Sequence, residues 1–251
     1  MASITPINAA DLEFDNGTWD ASAFAAQTLS GWQSLAAVID HTLLKPEATR
    51  AQVERLCEEA TRYRFACAMI NPVWAATAVN LLSGTGVPVG VVIGFPLGAS
   101  LVSTLRHEAA ALTRLGVREL DMVLPIGQLK SGNHQAVHHT IHATASEAHH
   151  HGALLKVILE TCLLSVEEKL RAAEIAIQAG ADFLKTSTGF STSGATVADV
   201  ALLRGVAGAR CGVKASGGIR TLADVSALLE AGANRIGASA SVAIVRELGA
   251  D

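Results

Sequence analysis

Eight short runs rich in apolar and β-branched residues recur along the chain, at Val38–Leu44, Phe65–Ile70, Val87–Gly94, Glu119–Pro125, Leu154–Glu160, Phe183–Ser187, Gly212–Gly217 and Arg235–Ser239. Their near-continuous hydrophobicity predicts strands covered on both faces, as in a parallel sheet. Between them the pattern switches to a helical period. Val53, Leu56, Cys57 and Ala60 form an apolar stripe, with Glu54, Arg55, Glu58 and Glu59 on the other face. Ser165 with Glu168 has the spacing of a capping box, and Thr196 with Asp199 and Thr221 with Asp224 repeat it with a shorter acid. Gly116, Gly180 and Gly232 end helices shortly before the next strand. Eight strand–helix units at a mean spacing of roughly 28 residues predict a single-domain α/β fold, a (β/α)8 TIM barrel, over residues 32–251. An open doubly wound sheet is the alternative, because periodicity does not reveal closure. Residues 1–31 are an N-terminal extension outside this rhythm. Within it Asn16-Gly17 predicts a turn, and Asp20 predicts the cap of a helix covering the bottom of the barrel.

Composition narrows the function. Half of the 251 residues are apolar and 17% are charged, which supports a large core and excludes disorder. Aromatic residues make up 4% and the net charge is −4, so neither a stacking platform nor a basic footprint for nucleic acid is present. Cys57, Cys67, Cys162 and Cys211 are far apart with no CxxC pair, which argues against a zinc site or a disulfide framework. Residues 71–105 lack charge but are broken by Pro72, Gly84, Gly86, Pro88, Gly90, Gly94, Pro96 and Gly98, so no membrane span is expected. Without a basic segment followed by an apolar one near residue 1, the expected compartment is the cytoplasm.

Charged residues inside apolar strands carry the chemical information, and here they are Asp40, Asp121, Lys156, Glu160, Lys185 and Lys214. Lysine is seldom buried without a partner or a task. Lys156, Lys185 and Lys214 fall on three successive predicted strands, which brings the amines close together. Burial and neighbouring cations both disfavour the ammonium, so one amine is expected to titrate near neutrality and attack carbonyls. A protonated imine is an electron sink that lets a carbon–carbon bond break without a metal. Asp121 and Glu160 would supply counter-charge and proton transfer, while a purely structural ion-pair network is the competing reading. Ala215-Ser216-Gly217-Gly218 and Gly237-Ala238-Ser239-Ala240-Ser241 follow strands seven and eight, where barrels commonly hold phosphate. Cys67 reads first as a small buried hydrophobe. His134, His138 and His142 share a helix face and, like His149–His151, read as solvated rather than metal-binding. His41 points outward by strand alternation, where it can orient a loop.

Six segments together resemble the deoxyribose-phosphate aldolase family: Ile39-Asp40-His41-Thr42-Leu43-Leu44-Lys45-Pro46, Val92-Ile93-Gly94-Phe95-Pro96-Leu97-Gly98, Glu119-Leu120-Asp121-Met122-Val123, Leu155-Lys156-Val157-Ile158-Leu159-Glu160, 180–190 and Val213-Lys214-Ala215-Ser216-Gly217-Gly218-Ile219-Arg220. The likeness spans about residues 36–246 and implies a class I aldolase. Such an enzyme reversibly cleaves 2-deoxy-D-ribose 5-phosphate to D-glyceraldehyde 3-phosphate and acetaldehyde. By this resemblance Lys185 forms the Schiff base, Lys214 lowers its pKa, and Asp121 works with water as general acid and base. Asp40, Thr42 and Thr186 would contact the sugar, Cys67 would line the pocket, and Gly189, Gly217, Gly218, Gly237 and Ser239 would hold the phosphate. The family implies a homodimer, a small-molecule substrate, and neither metal nor organic cofactor. Two departures stand out. Many relatives carry paired serines where this chain has Ser239 and Ala240, and some have a C-terminal tyrosine, whereas the one tyrosine here is Tyr63. An aldolase for another sugar phosphate or an unphosphorylated aldol, or a non-catalytic sugar-phosphate-binding barrel, are the alternatives.

Overall fold

A computed structural model describes residues 19–251, so the Asn16-Gly17 turn lies outside the described residues. Helices α1 (Ala21–Thr28) and α2 (Trp32–Ala36) lead into strand β1 (Ile39–Leu43) and helix α3 (Arg50–Tyr63). The next units are β2 (Cys67–Ile70) with α4 (Ala75–Leu82), β3 (Val89–Ile93) with α5 (Val102–Leu115), and β4 (Glu119–Val123) with α6 (Ile126–Lys130) and α7 (His134–His150). They are followed by β5 (Leu154–Ile158) with α8 (Val166–Gln178), and β6 (Phe183–Lys185) with α9 (Val197–Ala207). The last are β7 (Gly212–Ser216) with α10 (Leu222–Glu230), and β8 (Arg235–Ala238) with α11 (Ser241–Arg246). All eight predicted strands are present, each trimmed at one or both ends. They pair in parallel in chain order, and β8 pairs back onto β1 through Asp40 opposite Gly237, which closes the barrel and removes the open-sheet alternative.

The alternation of side chains sorts the strands into two cores. Outward positions such as Ile70, Val91, Leu120, Met122, Val157, Leu184, Val213 and Ile236 are buried with the helix faces in one continuous apolar layer. Inside the barrel the apolar content is small. Leu44, Cys67, Met69 and Val92 cluster with Phe95, and the rest of the interior is largely charged. His41 lies on the outer side, as alternation predicts, and pairs with Glu59 of α3 at 2.9 Å.

Local capping follows the sequence in most places. Ser165 and Thr221 start α8 and α10 with complete capping boxes, and Thr49 with Gln52 adds one at α3. Thr196 caps α9 through the amide of Asp199, but the Asp199 carboxylate turns away to Lys169 at 2.6 Å and does not complete a box. Asp20 caps α1 by accepting from the Ala23 amide at 2.9 Å, and α1 packs against α10 and α2. No helix among the described residues is long and apolar enough to cross a membrane.

The bottom of the barrel is organised by one arginine. Arg204 of α9 is buried and donates to the carbonyls of Gly232 (2.7 Å), Gly208 (2.7 Å) and Cys211 (3.0 Å), which lie between helix ends and the starts of β7 and β8. Its guanidinium lies 4.4 Å from the ring centre of Trp19, so the extension seals this contact. A Cβ at Gly232 would come within 2.5 Å of Arg204 Cγ, which explains glycine there beyond its left-handed φ of 110°. Arg204→Met removes the donor from two buried carbonyls and one half-buried one. It is expected to lower unfolding stability by about 3 kcal/mol, measured by urea denaturation; a loss below about 1 kcal/mol would contradict this account.

Candidate active site

The barrel interior between β1 and β4–β8 is a stack of ionisable side chains. On β4, Glu119 and Asp121 are two residues apart and therefore share the inner face. Strand register sets Lys156 opposite Asp121, Lys185 opposite Lys214, and Arg235 opposite Lys214. All seven charged groups of this stack, which includes Asp40, are buried.

Asp121 is the hub. Its Oδ1 accepts from Lys156 Nζ at 2.8 Å, while its Oδ2 accepts from both Lys185 Nζ (2.8 Å) and Lys214 Nζ (2.7 Å). Asp40 accepts from Lys214 through a short hydrogen bond and lies 3.4 Å from Lys156 Nζ. Deeper in the barrel, Glu119 lies 2.5 Å from Lys156 Nζ and 2.9 Å from Arg235, whose Nε is 3.5 Å from Asp40. Lys156 thus meets three carboxylates, Lys214 two and Lys185 one.

That gradient of pairing decides where protons sit. Burial alone would raise the carboxyl pKa of Asp121, but Lys156, Lys185 and Lys214 hold it well below the ordinary value. Asp40 is pulled down to about 2 against the same burial effect, by Lys156, Lys214 and Arg235. For Lys156, three carboxylates overcome burial and push the amine well above its usual pKa. Lys185 behaves oppositely. Burial, opposed chiefly by Asp121 and reinforced by Lys214 and Lys156, brings it down to about 8. One amine near the mouth is therefore easily deprotonated while its neighbouring carboxylate stays ionised.

A cavity of about 270 Å³ opens at the C-terminal ends of β1, β6, β7 and β8. Lys185 and Lys214 form part of its floor, with Thr42, Gly189, Gly217, Gly218, Gly237 and Ser239 in the walls. The amides of Gly189, Gly217, Gly218 and Ser239 have no hydrogen-bond acceptor among the described residues. The loop after β6 packs backbone to backbone on the loop after β7: a Cβ at Gly194 would be 2.1 Å from the Gly217 carbonyl oxygen, and Ala195 N–H donates to that oxygen at 3.1 Å. Gly237 has a further steric role, because a Cβ there would sit 3.0 Å from Lys214 Cε and displace the amine.

Several predicted site residues fall elsewhere. Asp40 lies beneath the cavity, engaged by cations. The Thr186 hydroxyl exchanges hydrogen bonds with the Ser216 backbone (3.1 and 3.2 Å), tying β6 to β7, and does not line the cavity. Cys67 is packed among Leu44, Met69 and Val92, outside the lining, and burial raises its thiol pKa far above the ordinary value. Glu160 supplies no counter-charge to the lysines. At the end of β5 its backbone is left-handed (φ 55°), and its buried carboxylate turns to the next loop. There it accepts from the Thr188 amide at 3.2 Å and from the Thr188 hydroxyl through a short bond. Thr188 Oγ1 in turn accepts from the Phe190 amide at 3.0 Å, so Glu160 shapes the turn that carries Gly189.

Glu119, Arg235 and Lys45 are site neighbours that sequence reasoning missed. The first two open their strands, two residues before Asp121 and Gly237, and alternation alone would have placed them inward. Asp40, Cys67 and Glu119 bring three donor atoms within 4.8 Å of one another, but both carboxylates are already paired with Lys156 and Arg235, a poor setting for a cation. His138 and His142 stack at 5.8 Å on α7, and His149 pairs with Asp182 at 2.8 Å on the outer surface.

The DeoC/LacD family aldolase profile matches residues 34–247. A deoxyribose-phosphate aldolase of Geobacillus sp. (strain WCH70) is 52% identical over 212 residues, covering 84% of this chain and 95% of that protein. One from Caldanaerobacter subterraneus subsp. tengcongensis is 53% identical over 215 residues, covering 85% and 93%. Among solved structures, the deoxyribose phosphate aldolase of Aeropyrum pernix, described as a tetramer, superposes with a TM-score of 0.84 at 35% identity, covering 91% of this chain and 96% of that one. The profile spans nearly all of the barrel, and the identities extend over nearly the whole length of the relatives. This chain belongs to the DeoC/LacD family of aldolases.

Proposed function

We propose that the protein is a Schiff-base lyase that cleaves 2-deoxy-D-ribose 5-phosphate reversibly to D-glyceraldehyde 3-phosphate and acetaldehyde, with Lys185 as nucleophile. The observation that carries this reading is the placement of Lys185 and Lys214 on one carboxylate oxygen of Asp121 at the floor of an open cavity. The relatives' name supplies the substrate, and the charge arrangement supplies the chemistry.

The neutral Lys185 amine adds to the C1 aldehyde of the open-chain sugar, and loss of water leaves a protonated imine. Removal of the C3 hydroxyl proton then breaks the C2–C3 bond. The bonding electrons flow into the imine to give an enamine, and C3 becomes the aldehyde carbon of glyceraldehyde 3-phosphate. Protonation at C2 and hydrolysis of the imine release acetaldehyde and free Lys185. Asp121 lies one hydrogen bond from the reacting amine and Lys214 one further, through the same Asp121 oxygen, and with water these two are the proton carriers. Asp121 is held ionised by its cations, so in the resting site the mobile proton sits on an amine. Thr42 lies beside the sugar, and the free amides of Gly189, Gly217, Gly218 and Ser239 face the phosphate. We place the enzyme in the cytoplasm, in keeping with four free thiols. The homodimer implied by the family stands against the tetramer described for the Aeropyrum protein, and sedimentation velocity separates the two.

Borohydride reduction in the presence of 2-deoxyribose 5-phosphate, with EDTA added, is expected to leave a stable adduct on Lys185, located by peptide mapping, and none in Lys185→Ala. An unmodified, folded wild-type protein would remove the imine mechanism. The pH profile gives a second check. The reactive form is the neutral amine, so kcat/KM should rise with pH and level off above about 8. At neutral pH a far larger share of Lys185 is therefore neutral than of a lysine of ordinary pKa. Asp121→Asn removes the group that holds the proton on Lys185 while Lys214 and Lys156 continue to repel it. The acid limb should therefore move to lower pH while kcat falls by about 10²–10⁴. An acid limb that stays in place would disconnect Asp121 from Lys185.

A further inference from the structure

We infer that Lys45 is the residue that sets preference for a phosphorylated over an unphosphorylated sugar, by supplying the positive charge at the phosphate end of the cavity. The inference rests on the function proposed above and adds a specificity determinant to it.

A phosphate monoester brings close to two negative charges, while the residues of the loops after β6, β7 and β8 that line the cavity offer it backbone amides and the Ser239 hydroxyl, which carry only partial charge; Arg220 ends the β7 loop but is not part of the lining. Helix α11, which follows the Ser239 loop, spans six residues and adds little dipole. Three cations line the cavity: Lys45, Lys185 and Lys214. Lys185 and Lys214 are tied to Asp121, and Lys185 must be neutral to react. Lys45 is in no ion pair among the described residues and is exposed.

Its position is built rather than incidental. Lys45 follows the C-terminal end of β1, and β1 pairs with β8 through His41 opposite Ala238, so the segment beyond β1 emerges beside the loop that carries Ser239. The backbone on either side is fixed. The Leu44 carbonyl accepts from Asn71 Nδ2 at 3.0 Å, the Lys45 carbonyl accepts from the Ala48 amide at 3.1 Å, and the Leu44 side chain is buried inside the barrel. A long flexible amine on an anchored root can reach an anion in the cavity mouth at small ordering cost.

The test compares wild type, Lys45→Gln and Lys45→Arg in cleavage of 2-deoxyribose 5-phosphate and of unphosphorylated 2-deoxyribose. The ratio of kcat/KM for the two sugars should fall about tenfold in Lys45→Gln, mostly through KM, and stay within about threefold of wild type in Lys45→Arg. The wild-type ratio should also fall with added salt more steeply than that of Lys45→Gln. A Gln variant with an unchanged ratio and unchanged salt dependence would overturn the inference. Inorganic phosphate, titrated while the amide resonances of Gly189, Gly217, Gly218 and Ser239 are followed, gives a readout independent of turnover. Binding should weaken about tenfold in Lys45→Gln, and equal binding in both proteins would overturn the inference. If the wild type cleaves neither sugar, the function proposed above fails, and the phosphate titration still decides the role of Lys45.

Discussion

Everything at the centre of this barrel follows from burying four cations and three carboxylates together. Isolated, each would carry a desolvation penalty of several kcal/mol. Packed as Asp40, Glu119, Asp121, Lys156, Lys185, Lys214 and Arg235, they compensate one another, but the set holds one positive charge too many when every group is ionised. The least costly remedy is the loss of one proton from the least compensated amine. Lys156 and Arg235 sit deep among carboxylates, and Lys214 bridges Asp40 and Asp121. Lys185 has a single partner and borders the cavity. The charge surplus and the pairing gradient thus single out a lysine that also borders the cavity.

This arrangement also explains why the apolar core lies elsewhere. In many barrels the interior is filled with layers of branched apolar side chains. Here much of that volume is given to ions, and the continuous apolar layer between sheet and helices carries the burial that holds the fold together. A rigid outer layer keeps the inner strands in register, and register is what puts Lys185 opposite Lys214 and Lys156 opposite Asp121. Shifting one strand by a residue would turn its charge into the apolar layer, so the chemistry and the packing enforce the same alignment.

Much of this was legible in the sequence, for identifiable reasons. Lysine inside an apolar run violates the expectation for a strand so strongly that Lys156, Lys185 and Lys214 stand out without any homologue, and the strand rhythm brings them together. The boundary charges were harder. Glu119 and Arg235 open their strands: alternation sets them on the inner face, but periodicity does not say how deep a strand end sits. Glu160 misleads in the opposite sense. A left-handed turn at the end of β5 takes its carboxylate off the strand pattern and onto Thr188, and a non-glycine residue gives no sign of that backbone conformation. Cys67 fails for a related reason: which inward side chains reach the cavity depends on height along the barrel axis, and a period of two fixes the face but not the height; Thr186 follows the inward Lys185, so alternation already argues against the inner face. The family likeness reached these residues by position, whereas their environments here are a strand-to-strand hydrogen bond and an apolar cluster.

The upper and lower halves of the site solve different problems with different materials. Below, full charges in a dry interior tune one amine, and any movement there would be amplified by the low dielectric. Above, the walls are largely neutral: glycine backbone, hydroxyls such as those of Thr42 and Ser239, and loops that lean on each other where Gly194 meets Gly217. A neutral wall is what the tuned amine requires. A rigid, buried cation near the phosphate would have lowered the Lys185 pKa further and drawn the carboxylates of the lower layers toward itself. An exposed cation at the rim, screened by solvent, can attract the anion while leaving the buried balance nearly undisturbed. Glu160 fits the same division. Its carboxylate is spent on the Thr188 turn, away from the amines, so it fixes the shape of the upper wall without adding a fourth negative charge to the lower stack.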